Sequence, residues 1–196
     1  MNNQNIISCF ELNSVYLKTI PIICIAVFYS CTQLTSEEKL IKNSLGKTVD
    51  ISMFQYIQER NKEISFNEFR KKYDFIYLVY LRDGCASCYP KYLEWQDQMS
   101  KLELNNNFMV LFIIQGVKFE DFLKSIANSD RKYDDPFNHF CVVMDPKQRF
   151  LKKNQAIDQW IINKSVLVDS ENRVKLIGSP FASERMRQLF YQICEQ

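Results

Sequence analysis

The sequence predicts one α/β domain, a mostly parallel sheet with helices on both faces, on three observations. Two runs, "YDFIYLVYL" (73–81) and "FMVLFII" (108–114), are almost continuously apolar, the pattern of strands covered on both faces. Cys88, Tyr92, Trp95, Met99 and Leu102 recur at intervals of four, three, four and three, a single helical stripe. The order strand, helix, strand, helix, strand, helix, hairpin, helix calls for crossover connections between parallel strands.

Each element has a local reason. Thr35 and Glu38 form a capping box, Leu40, Ile41 and Leu45 share one face, and Gly46 closes a short helix between them. "KTVDISM" (47–53) reads as an edge strand, and residues 54–72, which mix charge and aromatics without a clean period, read as a loop with at most a turn of helix. The run 73–81 is the central strand. Pro90 falls near the first turn of the striped helix, where its missing N–H costs little. "FEDFLKSIA" places Phe119, Phe122, Leu123 and Ile126 on one helical side, and "FCVVMDP" is a third strand ending at Asp145-Pro146. A short helix follows around Gln148 to Lys153. "KSVLVD" and "RVKLIG" flank the turn formers Ser170, Glu171 and Asn172, so they make a hairpin. The last helix starts at Ser183 and carries Met186, Leu189, Phe190, Ile193 and Cys194 on its apolar stripe.

The 196 residues, 46% hydrophobic and 14% aromatic, suffice for one well-buried core. The formal charge of +2 comes from 25 basic and 23 acidic residues with no basic block, which argues against nucleic acid as a partner. Within the first thirty residues Glu11 and Lys18 are the only charged side chains, and "TIPIICIAVFYSC" follows Lys18. The apolar run Ile20 to Tyr29 is shorter than the roughly 20 residues a spanning helix needs and suits a secretory signal. Phe28-Tyr29-Ser30-Cys31 resembles a bacterial lipobox. The resemblance implies a lipoprotein signal peptide at 1–30, Cys31 as the lipidated residue, a lipid-anchored segment at 31–47 and the domain proper at 48–196. An uncleaved anchor or a buried apolar segment is the alternative. Without a dense acidic run after Cys31, a periplasm-facing place in the cell envelope is the simpler expectation.

Of seven cysteines, Cys9 and Cys24 leave with the signal, and a structural disulfide framework would need more cysteines in a smaller chain. "RDGCASC" is therefore read as a local pair at a strand–helix junction. The first cysteine lies among unpaired helix N–H groups, whose positive end stabilises a thiolate. Cys88 lies on the core stripe and is shielded. Cys85 is thus expected to attack and Cys88 to resolve the mixed disulfide. A metal site would need further ligands, and the chain has one histidine, His139, two residues before Cys141. Cys141 and Cys194 read as buried thiols outside any disulfide.

The strand–CxxC–helix junction, the inserted helix and strand ending "VVMDP", and "SVLVDSENRVKLIG" together resemble the thioredoxin superfamily, in particular its TlpA-like bacterial envelope branch. That resemblance implies a thioredoxin-like fold with a central mixed sheet and a lipid-anchored thiol-disulfide oxidoreductase. Its partners would be a protein thiol or disulfide substrate and an electron-donor or acceptor protein. With no nucleotide, flavin or metal motif, no cofactor is expected. The family's cis-proline before the hairpin strand is matched here by Asn163, which with Trp160 is the expected substrate-binding pair. Gly84 stands where many members have Trp. Val79 replaces the buried acid six residues before the first cysteine, which leaves Asp83 as the nearest group for proton handling. The competing readings are a non-catalytic envelope binding module that keeps the fold, with the CxxC as a structural disulfide, or a metal-binding variant.

Overall fold

The computed structural model describes residues 34–59, 62–82, 85, 88–99, 101, 108–116, 118, 120–122, 124 and 140–195. The expected signal, Cys31, Asp83, Gly84, Leu102, Phe119, Leu123, Ile126 and His139 lie outside these residues. Contacts divide the chain into two units, Met1–Leu40 and Ile41–Gln196. Helix α1 (Ser36–Ser44) crosses that boundary and opens with the expected capping box: the Thr35 N–H donates to Glu38 Oε2 at 2.7 Å and the Glu38 N–H to Thr35 Oγ1 at 3.2 Å.

The second unit is a sheet flanked by helices. Among the described residues its strands are β1 (Tyr56–Glu59), β2 (Lys62–Ser65), β3 (Phe75–Arg82), β4 (Phe108–Gln115), β5 (Phe140–Met144), β6 (Val166–Val168) and β7 (Val174–Ile177), in the order β2-β1-β5-β4-β3-β6-β7. β3, β4 and β5 run parallel, while the β1–β2 hairpin on one side and the β6–β7 hairpin on the other are antiparallel additions. The sheet is therefore mixed, with a parallel centre.

Side-chain alternation along β3 sorts the core into two halves. Ile76, Leu78 and Tyr80 face a cluster built by helices α2 (Phe66–Lys72), α4 (Arg149–Lys153) and α5 (Asp158–Asn163), through Phe66, Phe69, Phe150, Ile157, Trp160 and Ile161. Tyr77, Val79 and Leu81 face the other, built by α3 (Cys88–Met99) and α6 (Glu184–Cys194) through Cys88, Tyr92, Trp95, Met99 and Phe190. The second half is largely aromatic. Phe190 lies 5.0 Å from Phe108 and 5.6 Å from Tyr77, and Tyr77 lies 5.1 Å from Trp95, centroid to centroid. The Ser183 hydroxyl accepts from the Met186 N–H at 3.2 Å and starts α6 as its sequence signal requires.

Three expectations are corrected. "KTVDISM" is not an edge strand: only the isolated bridge Thr48–Arg173 forms, because Asp50 Oδ1 accepts from both the N–H and the hydroxyl of Ser52 and turns the chain. The Asn154 side chain then holds that bend, accepting from the Asp50 N–H and donating to the Asp50 carbonyl, each at 2.8 Å. Residues 54–72 are the β1–β2 hairpin and helix α2, not a loop; α2 docks through Phe66 and Phe69, one helical turn apart. On the α1 stripe Ile41 packs on the core, but Leu40 and Leu45 are exposed. Gly46 does close the helix, at φ +78°.

The β6–β7 turn is held by Asp169. Burial alone would raise its carboxyl, but the N–H of Arg173, the Arg173 guanidinium and the N–H of Glu171 outweigh it and hold the group below its ordinary 3.8. Because the folded value is the lower, this contribution is complete above about pH 4 and is lost as pH falls through the folded value. Asp169→Asn should therefore be less stable than wild type at neutral pH, with the gap closing on acidification; a gap that does not change with pH would overturn this account. Phe190→Ala should lower stability by about 3–5 kcal/mol, read as a drop in the urea midpoint at unchanged m-value.

Candidate functional site

β3 ends at Arg82 on a fully buried run, and the chain turns back at once. The Cys85 N–H donates to the Arg82 carbonyl at 3.4 Å and the Cys88 N–H to the Cys85 carbonyl at 2.9 Å, so Cys85 and Cys88 bracket a single turn that opens α3. Pro90, in the first turn of α3, loses only an N–H that has no intrahelical partner. The register of β3 between β4 and β6 thus fixes where the two sulfurs stand.

The pair is asymmetric. Cys85 is half-buried, whereas Cys88 is 9% exposed and packs against the aromatic half of the core. Burial, then the hydrogen bond to the Cys85 sulfur, push the Cys88 thiol above its ordinary 9.0; the Arg82 N–H, 3.3 Å from Cys88 Sγ, pulls the other way. A buried thiol pushed up and hydrogen-bonded to a more accessible sulfur is the arrangement an attacking and a resolving cysteine require.

A groove of about 370 Å³ lies between α3, the segment entering β6, and the turn between β7 and α6; neither Cys85 nor Cys88 lines it. Lys91 and Trp95 line it from α3, Lys164 and Ser165 from across, and Gly178 and Met186 close it. Gly178 has φ +115°, and a Cβ there would meet Met186 Cε at 3.1 Å. Its N–H donates to the Ser165 carbonyl at 2.8 Å, and its own carbonyl accepts from the Tyr77 hydroxyl at 3.0 Å. The backbone angle is what calls for glycine at this position, since the flexible end of Met186 could give by a few tenths of an ångström.

Sequence reasoning brings Cys85 and Cys88 together, as the structure does, but not the groove. Asn163 is the last residue of α5; Lys164 and Ser165 follow it, and Ser165 is the residue directly before β6. Trp160 does not line the dithiol: it is buried in the opposite half of the core, where its indole N–H donates to Ser44 Oγ at 2.9 Å. α5 (Asp158–Asn163) carries both Trp160 and Asn163 on a helix that ends just before the segment entering β6. Lys91 was also missed, although its place three residues after Cys88 puts it on the same side of α3. Cys141 is buried in β5, and Cys194 is half-buried in α6, its thiol pushed up to about 12 by burial and then by Glu195. Among the described residues no group of three or more His, Cys, Asp or Glu side chains is placed to hold a metal, and no helix is long and apolar enough to cross a membrane.

No family model matches the sequence, and no curated protein matches it. Similar solved structures include two from Aquifex aeolicus VF5, to which electron transport and electron transfer have been ascribed. They are 18% and 19% identical, each aligned over 78% of this chain and 100% of the other, with TM-scores of 0.53. The thioredoxin domain of a thiol-disulfide oxidoreductase from Bacteroides vulgatus is 15% identical over 76% of this chain and 97% of its own, at a TM-score of 0.44. With a parallel β3–β4–β5 centre, an antiparallel β6–β7 hairpin and helices on both faces, the chain has the thioredoxin-like α/β fold.

Proposed function

We propose that the chain is a thiol-disulfide oxidoreductase whose working group is the Cys85–Cys88 dithiol. The observation that carries this reading is the asymmetry of the pair: Cys85 half-exposed at the start of α3, Cys88 buried behind it with its thiol pushed up. The Cys85 thiolate attacks one sulfur of a substrate disulfide; an S–S bond forms to Cys85, the substrate bond breaks, and one substrate sulfur leaves as thiolate. Cys88 then attacks Cys85 Sγ, losing its proton to the departing second substrate sulfur. Two electrons pass from the dithiol to the substrate, and Cys85 and Cys88 end as a disulfide. A partner protein must return the electrons, and the same steps in reverse oxidise a substrate dithiol.

The full chain, supplied with dithiothreitol, should reduce the disulfides of insulin faster than dithiothreitol alone. Cys85→Ser should fall to background, and Cys88→Ser should accumulate a mixed disulfide with the substrate. A wild-type rate at background, or a Cys85→Ser variant that keeps activity, would sink the reading.

The N-terminal sequence supports a second part of the proposal, a lipid-anchored protein facing the periplasm from the cell envelope and held through Cys31. Cys31→Ala should move the protein from the membrane to the soluble fraction of the producing cell. Unchanged membrane attachment would remove Cys31 from the anchor.

A further inference from the structure

At about 370 Å³, the groove between α3, the segment entering β6 and the β7–α6 turn has room for a small molecule, at the low end of the roughly 300–1,000 Å³ that ligand sites occupy. Its walls are mostly apolar. Trp95, 2% exposed, lines it from α3, and Ile177, Ala182 and Met186 line it from β7 onward, with Gly178 adding no side chain. Among the described residues no carboxylate lines it.

The polar side chains of the lining belong to Lys91, Lys164, Ser165 and Ser179, and two of them are engaged elsewhere. The Lys164 ammonium sits 5.4 Å over the Trp160 ring, and the Ser179 hydroxyl accepts from the Phe181 N–H at 3.2 Å. Lys91 and Ser165 remain. Lys91 is half-buried, and among the described residues its Nζ makes one hydrogen bond, to the Lys164 carbonyl at 3.5 Å, longer than the roughly 3.2 Å at which such bonds usually end. An ammonium carries three N–H donors, so most of its bonding capacity goes unused there. Burial pulls it below its ordinary 10.5, while Cys88, Cys85 and Glu94 pull it back up. Ser165 is 1% exposed, and its hydroxyl has no hydrogen-bond partner among the described residues, where a buried polar group normally has one.

We propose that this groove binds a small organic monocarboxylate, the carboxylate held by Lys91 and Ser165 and an apolar body lying against Trp95, Ile177 and Met186. The site stands apart from the redox reading, since neither cysteine lines it. The charge of the ligand follows from the lining. One available ammonium balances one negative charge, and a phosphate ester would bring a second charge to apolar walls that cannot pair it. A neutral ligand would leave the ammonium as poorly satisfied as the Lys164 carbonyl does. Hydrogen bonds between an ammonium and a carboxylate are shorter and stronger than those to a neutral carbonyl, so the anion improves on the contact Lys91 already has. The body must be apolar because the remaining walls offer it little else to meet.

The test titrates the full chain by calorimetry with linear carboxylates from butyrate to octanoate and with phenylacetate and 4-phenylbutyrate, each beside its primary amide. At least one acid should bind wild type about tenfold more tightly than its amide. Lys91→Gln should weaken that acid about tenfold and leave the amide unchanged, whereas Ala182→Trp, which fills the groove, should weaken both. A wild-type chain that binds no member of the series, or binds acid and amide equally, would overturn the proposal. So would a Lys91→Gln variant that keeps the preference for the acid, or one that loses acid and amide alike, since the second result reports packing of the stem rather than charge. Should Lys91→Gln fail to fold, Ala182→Trp decides: acid binding that survives it at wild-type affinity lies outside the groove and refutes the assignment.

Discussion

The constraint on which the rest of the molecule depends is the burial of β3 on both faces. From Ile76 to Leu81 no side chain is more than 2% exposed; β4 pairs along the whole strand on one edge and β6 pairs with Ile76 to Leu78 on the other. A strand so enclosed has one register, because a slip of one residue would exchange Tyr77, Val79 and Leu81 with Ile76, Leu78 and Tyr80 between two differently shaped core halves. The position of Arg82 follows, and from it the turn that carries Cys85 and Cys88. The dithiol is therefore placed by core packing rather than by loop contacts, which suits the redox role proposed for it.

The two core halves divide the labour between shape and chemistry. The half containing Phe54, Phe66, Phe69 and Phe150 fixes the N-terminal hairpin and the short helices, and it buries Trp160. The other half buries Cys88 in the same cluster as Tyr92 and Trp95. This is why the Cys88 thiol is pushed up while the Cys85 sulfur, at the rim, still meets solvent. The contrast between the cysteines comes from which side of one helical turn faces the core.

What was legible in the sequence was whatever depended on strong local signals. The buried strands declared themselves through unbroken apolar runs, α3 and α6 through their stripes and caps, and the β6–β7 hairpin through its turn residues. The failures have physical causes. Asp50 and Ser52 make a side-chain turn inside "KTVDISM" that overrides its β-like composition, and the Asn154 contacts that hold it come from a hundred residues away. β1 and β2 are four residues each, too short for alternation to stand out among charged neighbours. At the site the cysteines were visible because their spacing is local. The groove was not, because Lys91, Ser165 and Gly178 meet only once the sheet has brought α3, β6 and β7 together.

The pairing of β3 with β6 has a consequence for the order in which the molecule is made. Ile76 pairs with Val168, about ninety residues later, and contacts of such separation form late and slowly. A chain emerging from a ribosome or a translocation channel presents Cys85 and Cys88 long before β6 exists to complete the sheet around them. During that interval the two thiols are ordinary unfolded cysteines, open to whatever oxidant the compartment holds. On the proposed redox reading, the reactivity that sets them apart arises only when the last quarter of the chain has arrived, so a truncated product keeps both cysteines and lacks the site.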